Sequence, residues 1–248
     1  MPYGAGVASS AHDRPVAIVT GASRGLGAAL ARRLAEDGWA LVLDARNGEA
    51  LEATLGEDFP NGGPHVIGIV GDVTDPHHRR ALVDMAAEMH GGIDVLINNA
   101  SHLGPSPQPA LADYPVDELR RVYDVNVLAP LALAAEALPF LRAGGGRIVN
   151  VTSDAGVEAY EGWGGYGSSK AALEHASRVL GAEEAANGVR VYVVDPGDMR
   201  TQMHQEAFPG EDISDRPPPE VSVPGFLTLL REDLPSGRYA ARDLAVNP

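Results

Sequence analysis

Cysteine is missing from all 248 residues, which excludes a disulfide scaffold, thiolate zinc sites, iron–sulfur clusters and cysteine nucleophiles. Basic residues are scarce: 19 Lys and Arg stand against 34 Asp and Glu, a formal net charge of −15 with histidines neutral. Binding to a phosphate backbone draws its affinity from clustered cations, so no nucleic-acid partner is expected. No uninterrupted apolar run approaches the roughly 18–20 residues of a membrane span. Residues 1–14 carry no apolar stretch behind a basic start, so no signal peptide is expected. The reading is a cytoplasmic chain without a membrane partner. His77, His78, His175 and His204 lack zinc-type spacing, so no metal is expected and these side chains are read as packed or solvated. What the chain does have is 44% hydrophobic residues, enough to fill a core.

Residues 1–14 are small and polar and read as a mobile arm. From Pro15 short apolar runs alternate with amphipathic stretches: PVAIVT, LGAALARRLAEDG, WALVLDA, a short helix around Glu49–Leu55, HVIGIV, PHHRRALVDMAAEMH and DVLINN. A helical tract over Val116–Leu141 precedes RIVNVTS, and a helix over 165–187 precedes VRVYVVD. Nearly continuous apolar strands are those of a parallel sheet covered on both faces. Strand–helix repetition predicts right-handed crossovers and a doubly wound, mostly parallel sheet of about seven strands, an α/β Rossmann fold in one domain over 15–248. Residues 197–224, rich in Asp, Glu, Gly and Pro, predict a long loop. A short helix over Pro224–Glu232 and a strand near Gly237–Ala241 close the chain.

The first strand runs into Thr20-Gly21-Ala22-Ser23-Arg24-Gly25-Leu26-Gly27 and then a helix. Glycines there allow a tight turn and close approach to a pyrophosphate, which the helix N-terminus attracts. The spacing is G-x-x-x-G-x-G rather than G-x-G-x-x-G, so the general fingerprint fits loosely. The same letters also spell a G-x-S-x-G elbow that would make Ser23 a hydrolase nucleophile. Only one strand precedes it, which leaves nowhere upstream for an oxyanion-hole loop. Asn150-Val151-Thr152 matches a glycosylation sequon but lies in a predicted buried strand.

These residues resemble the short-chain dehydrogenase/reductase family in its ordinary single-domain form, over about residues 15–200. Gly71-Asp72-Val73 is similar to the family's adenine contact, Asn98-Asn99-Ala100 to its fourth-strand signature and Asn126 to its structural and relay asparagine. Ser153 ends the fifth strand, Tyr166 and Lys170 form Y-x-x-x-K, and Asp195-Pro196-Gly197 follows the sixth. The resemblance implies a catalytic set of Asn126, Ser153, Tyr166 and Lys170. It implies cofactor contacts at Gly21, Ser23, Arg24, Gly25, Leu26, Gly27, Ala45, Arg46, Asp72, Val73, Asn99, Ala100, Tyr166, Lys170, Pro196, Gly197, Met199 and Thr201. By the same resemblance Lys170 holds the nicotinamide ribose and Asn126 anchors a relay water. The chemistry of the spacing runs beside it. Tyr166 and Lys170, at i and i+4, share one helix face, where an ammonium lowers the phenol pKa and makes Tyr166 an acid–base. Ser153 can donate to the same carbonyl oxygen.

An acidic side chain ending the second strand accepts the ribose diol of NAD, whereas arginine suits the 2′-phosphate of NADP. Counted as in the family, that position is Ala45, followed by Arg46, with Arg24 as a second cation; NADP(H) is favoured and NAD(H) stays possible. Asp44 would become the diol ligand if the register slipped by one. The aromatics of residues 158–165 either line a pocket or merely shape a loop. The chain ends LPSGRYAARDLAVNP, without the family's G-x-x-x-x-V-D-G-G strand, and places the 197–224 loop where the family carries its substrate lid. The expected activity is hydride transfer between nicotinamide and a small-molecule carbonyl or secondary alcohol, in a homodimer or homotetramer. A redox-neutral epimerase or dehydratase is the alternative, and so is an idle dinucleotide sensor.

Overall fold

The computed structural model describes residues 14–59 and 65–245; the expected arm at 1–14 lies outside them but for Arg14. In chain order the elements are β1 (Val16–Val19), α1 (Gly25–Glu36), β2 (Ala40–Ala45), α2 (Gly48–Asp58), β3 (Val66–Val70), α3 (Pro76–His90) and β4 (Val95–Asn98). Then come α4 (Val116–Tyr123), α5 (Ala129–Gly144), β5 (Arg147–Val151), α6 (Gly164–Glu184), β6 (Arg190–Asp195), α7 (Gln202–Ala207), α8 (Val223–Arg231), β7 (Gly237–Ala240) and α9 (Ala241–Leu244). The strands form one seven-stranded sheet in the order β3-β2-β1-β4-β5-β6-β7, and every pairing is parallel. The seventh strand pairs with β6 although the family's tail motif is missing.

Alternation along each strand sorts the core into two layers. Ala17, Val19, Leu41 and Leu43 pack with α1 and α8 through Leu30, Leu34, Phe226 and Leu230. Val16, Ile18, Val42 and Leu96 pack on the other face with α3 and α5 through Leu82, Leu133 and Leu141. Both faces of the sheet are covered, which is why the strands read as unbroken apolar runs.

Two expectations are corrected. The tract from Val116 is one continuous helical column of 29 residues ending at Gly144, and by length and composition it contains a window apolar enough to cross a membrane. Alanines keep that window apolar on average although no unbroken run is long. More than half of it, 56%, is buried in the protein, as befits a core helix. The 197–224 segment is not a plain loop either. Thr201 caps α7 by accepting from His204 N, no proline intervenes before Pro209, and a 3₁₀ turn at Pro219–Val221 leads into α8.

Candidate active site

The strand order reverses between β1 and β4, so the loops leaving their carboxyl ends part and leave a crevice. The glycine loop lines one side and Asn98-Asn99-Ala100 the other, and the two are tied together. Thr20 Oγ1 accepts from the backbone N–H of Asn99 and Ala100, both at 3.0 Å. The Asn99 amide donates to the carbonyls of Thr20 at 2.9 Å and Gly21 at 3.0 Å. Gly27 sits so close beneath the loop that a Cβ there would be 2.3 Å from Gly21 O, and Gly25 takes φ +57°. The Arg24 side chain gives α1 no cap, whereas Asn47 and Asp75 cap α2 and α3. A helix N-terminus opened by glycines and without a side-chain cap fits the diphosphate of a dinucleotide. Leu26 buries its side chain in the core, so only its backbone belongs to this cradle, and Ser23 O accepts from Thr54 Oγ1 at 2.8 Å.

At the end of β2, Asp44 is buried and both its oxygens are engaged. Oδ1 accepts from Gly21 N at 2.8 Å and Oδ2 lies 2.9 Å from His78 Nε2. Asp44 is therefore a strut of the glycine loop and His78 a packed histidine. Ala45 is also buried, and Arg46 is the first exposed residue. Gly71 N donates to Ala45 O. Burial pushes the Asp72 carboxyl up, but hydrogen bonds from Thr74 and the charges of Arg46 and Arg121 bring it below its ordinary value. Arg121, on α4, is a second cation here that the motifs did not reveal. The Arg24 guanidinium, at the start of α1, is bonded to Gln202 of α7. Val73 packs with Val125, Ala129 and Ala100 in a small apolar patch beside Asp72.

Between α4 and α5 the column passes through a π-helical turn, Asp124–Leu128, a local widening often found at functional sites. It carries Asn126, fully buried, whose amide is saturated. Oδ1 accepts from Ser101 Oγ at 3.2 Å and His102 N at 2.8 Å. Nδ2 donates to His102 O at 2.9 Å and Ser169 Oγ at 3.0 Å. Asn126 thus ties the β4 exit to α6. Next along, the Ser101 hydroxyl lies beside Tyr166 and acts to lower its phenol pKa.

Tyr166 and Lys170 lie on one face of α6, both buried, with Lys170 Nζ 5.4 Å from the centre of the Tyr166 ring. Nζ donates to Val151 O at 2.9 Å. Burial drives Lys170 down to about 8 and Tyr166 up to about 12; the neighbouring Ser101 hydroxyl opposes the latter, and the charges of Asp195 and Asp154 add to it. The expected lowering of the Tyr166 pKa is therefore reversed. The ammonium lies over the ring and is turned to the Val151 carbonyl, and desolvation with two carboxylates sets the direction. Ser153 Oγ donates to Asp154 Oδ1 at 2.9 Å and accepts from Ala155 N at 3.2 Å.

Ser153 and Tyr166 open on one cavity of about 420 Å³. Pro196, Gly197, Met199 and Thr201 line it from the β6 exit, and Met203, His204 and Ala207 from α7, with Phe208 just past its end. Tyr160 and Trp163 line it as well, which settles the aromatic run in favour of the pocket. The predicted cofactor and catalytic residues thus gather along the carboxyl edge of the sheet. Ser101, Asp154 and Arg121 were missed. Ser101 and Asp154 each directly follow a recognised motif, a signal that could have found them; Arg121 carries no comparable signal.

Fold and crevice define a Rossmann protein of the dinucleotide-binding kind. The model of the short chain dehydrogenase family matches residues 15–212, and the chain belongs to that family of oxidoreductases, whose fold binds a nicotinamide cofactor. It is 34% identical to benzil reductase ((S)-benzoin forming) of Saccharomyces cerevisiae over 196 residues, covering 77% of this chain and 74% of that one. It is 38% identical to 4-formylbenzenesulfonate dehydrogenase of Comamonas testosteroni over 232 residues, covering 93% and 87%. A short chain dehydrogenase of Shigella flexneri, solved as a complex with NADP, superposes with a TM-score of 0.85 at 27% identity, covering 93% of this chain and 98% of that one.

Proposed function

We propose that the protein is an NADP(H)-dependent reductase of carbonyl compounds, working in reverse on secondary alcohols. The observation that carries this reading is the shared cavity of Ser153 and Tyr166, with Lys170 buried behind the tyrosine ring. The bound nicotinamide supplies a hydride to the carbonyl carbon. Tyr166, driven up to about 12, keeps its proton at neutral pH and can give it to the carbonyl oxygen, so a carbonyl, a hydride and a proton become an alcohol. Ser153 donates to Asp154 and must turn that proton toward substrate to polarise the carbonyl. Lys170 holds its position through Val151 O and, by family resemblance, meets the ribose.

NADP is favoured over NAD because Arg46 and Arg121 converge near Asp72, while Asp44 is engaged by Gly21 and His78. Both relatives above are named for aryl carbonyl compounds, and Trp163 and Phe208, 5.7 Å apart between ring centres, suit an apolar body. Leu128 and Val179, exposed on the two long helices, support a homodimer or homotetramer built on those helices, which light scattering checks. The activity is tested by following NADPH absorbance with a panel of ketones and aldehydes. Oxidation of NADPH with formation of alcohol is expected. Tightly held cofactor without turnover points instead to a sensor, and product without absorbance change to a redox-neutral isomerisation.

A further inference from the structure

We propose that the cavity selects carbonyl compounds carrying an alkylammonium group on a short apolar body. The inference rests on the reductase reading and adds the charge of the substrate. Trp163 lines the cavity between two further rings, with Tyr160 at 6.4 Å and 69° and Phe208 at 5.7 Å and 44°. Rings so inclined form the walls of a corner rather than a stacked layer, and such a corner attracts an ammonium through its ring faces. Tyr166 lies 5.8 Å from Trp163 but already has Lys170 over its ring.

Charge is built into the same corner. Asp154, Asp195 and Asp198 line the cavity, and among the described residues no lysine or arginine does. Asp195 is paired from outside with Arg238 at 3.0 Å, and Asp198 with Arg216 at 3.7 Å. Among the described residues Asp154 joins no ion pair. Its carboxylate is instead fixed by neutral donors: Ala155 N at 2.8 Å, Ser153 Oγ at 2.9 Å and Tyr160 OH at 2.9 Å. One wall of the corner therefore holds the carboxylate that faces it. The negative field reaches the reacting end, since Asp195 and Asp154 both help to raise Tyr166. The net charge of −15 draws cations the same way.

The test compares three methyl ketones with NADPH: one bearing trimethylammonium three methylenes from the carbonyl, its tert-butyl isostere, and an analogue ending in carboxylate. The expected order of kcat/KM is ammonium, isostere, carboxylate, with about tenfold between the first two. Asp154→Asn and Trp163→Leu should each bring the ammonium-to-isostere ratio toward one. A wild-type ratio of one or less, or a ratio that neither variant moves, overturns the inference and leaves the reductase reading in place. If no ketone is reduced, the reductase reading fails, and tetramethylammonium titrated against tryptophan fluorescence decides the cation site by itself. Trp39 is buried in the core, so saturable quenching that weakens in Asp154→Asn reports Trp163 and supports the site. Its absence overturns it.

Discussion

Single atoms carry the chemistry. Tyr166→Phe removes the hydroxyl and keeps the ring among Leu103, Ala155 and Trp163. NADPH binding should persist while turnover drops about 10²–10⁴-fold, the usual scale of lost acid–base help; retention of most activity would falsify the role given to Tyr166. Cofactor choice is likewise a matter of individual charges. A charge-assisted hydrogen bond to the 2′-phosphate contributes about 1.5–3 kcal/mol. Arg46→Ala should therefore weaken NADPH by about 10- to 150-fold and leave NADH nearly unchanged. Adding Arg121→Ala should narrow the difference between the two cofactors further. Titrating both cofactors against wild type and variants checks this, and equal weakening of NADPH and NADH would overturn the NADP reading.

At the scale of elements, the glycine loop works because α1 is pressed against it. A methyl group at Gly27 would meet Gly21 O at 2.3 Å and the Asn99 amide at 2.6 Å, and the backbone carbonyl cannot swing aside like a flexible side chain. Gly27→Ala should cost about 1–3 kcal/mol of stability and displace the α1 N-terminus, so NADPH affinity should fall with it. A variant with wild-type urea midpoint and wild-type NADPH affinity would show that the loop is looser than its packing implies. The π-helical turn is the second such element. It sets Asn126 between His102 and Ser169, joining the β4 exit to α6.

Across the whole molecule the buried pair on α6 sets a pH signature. Lys170 lies at about 8 against an ordinary 10.5. Below pH 8 it is charged in both folded and unfolded chains, and the fold bears the burial cost. Between about 8 and 10.5 the folded chain sheds a proton that the unfolded chain keeps, so stability rises with pH, by about 3 kcal/mol in total for this group. Tyr166 acts oppositely: its folded value of about 12 exceeds the ordinary 10, so the unfolded phenol ionises first and stability falls from pH 10 toward 12. Urea midpoints of wild type and Lys170→Met should differ most below pH 8 and converge by pH 10.5. A difference independent of pH would mean that Lys170 is not held down.

Local grammar determined much of this protein. Apolar runs, the glycine loop after β1, and Tyr166 four residues before Lys170 are short-range patterns, so the parallel sheet, the crevice and the shared helix face were legible from residue order. Only the tertiary structure decided the rest, because it depends on groups far apart in the chain. Asp44 became a strut through Gly21 and His78, and Arg121 joined Arg46 near Asp72. Ser101 entered the site through Asn126, and the end of α7 brought Phe208 to Trp163. The direction of the Tyr166 pKa was of the same kind. Spacing predicts an ammonium nearby, but burial and the orientation of Lys170 toward Val151 O determine which effect prevails, and both come from packing against β5.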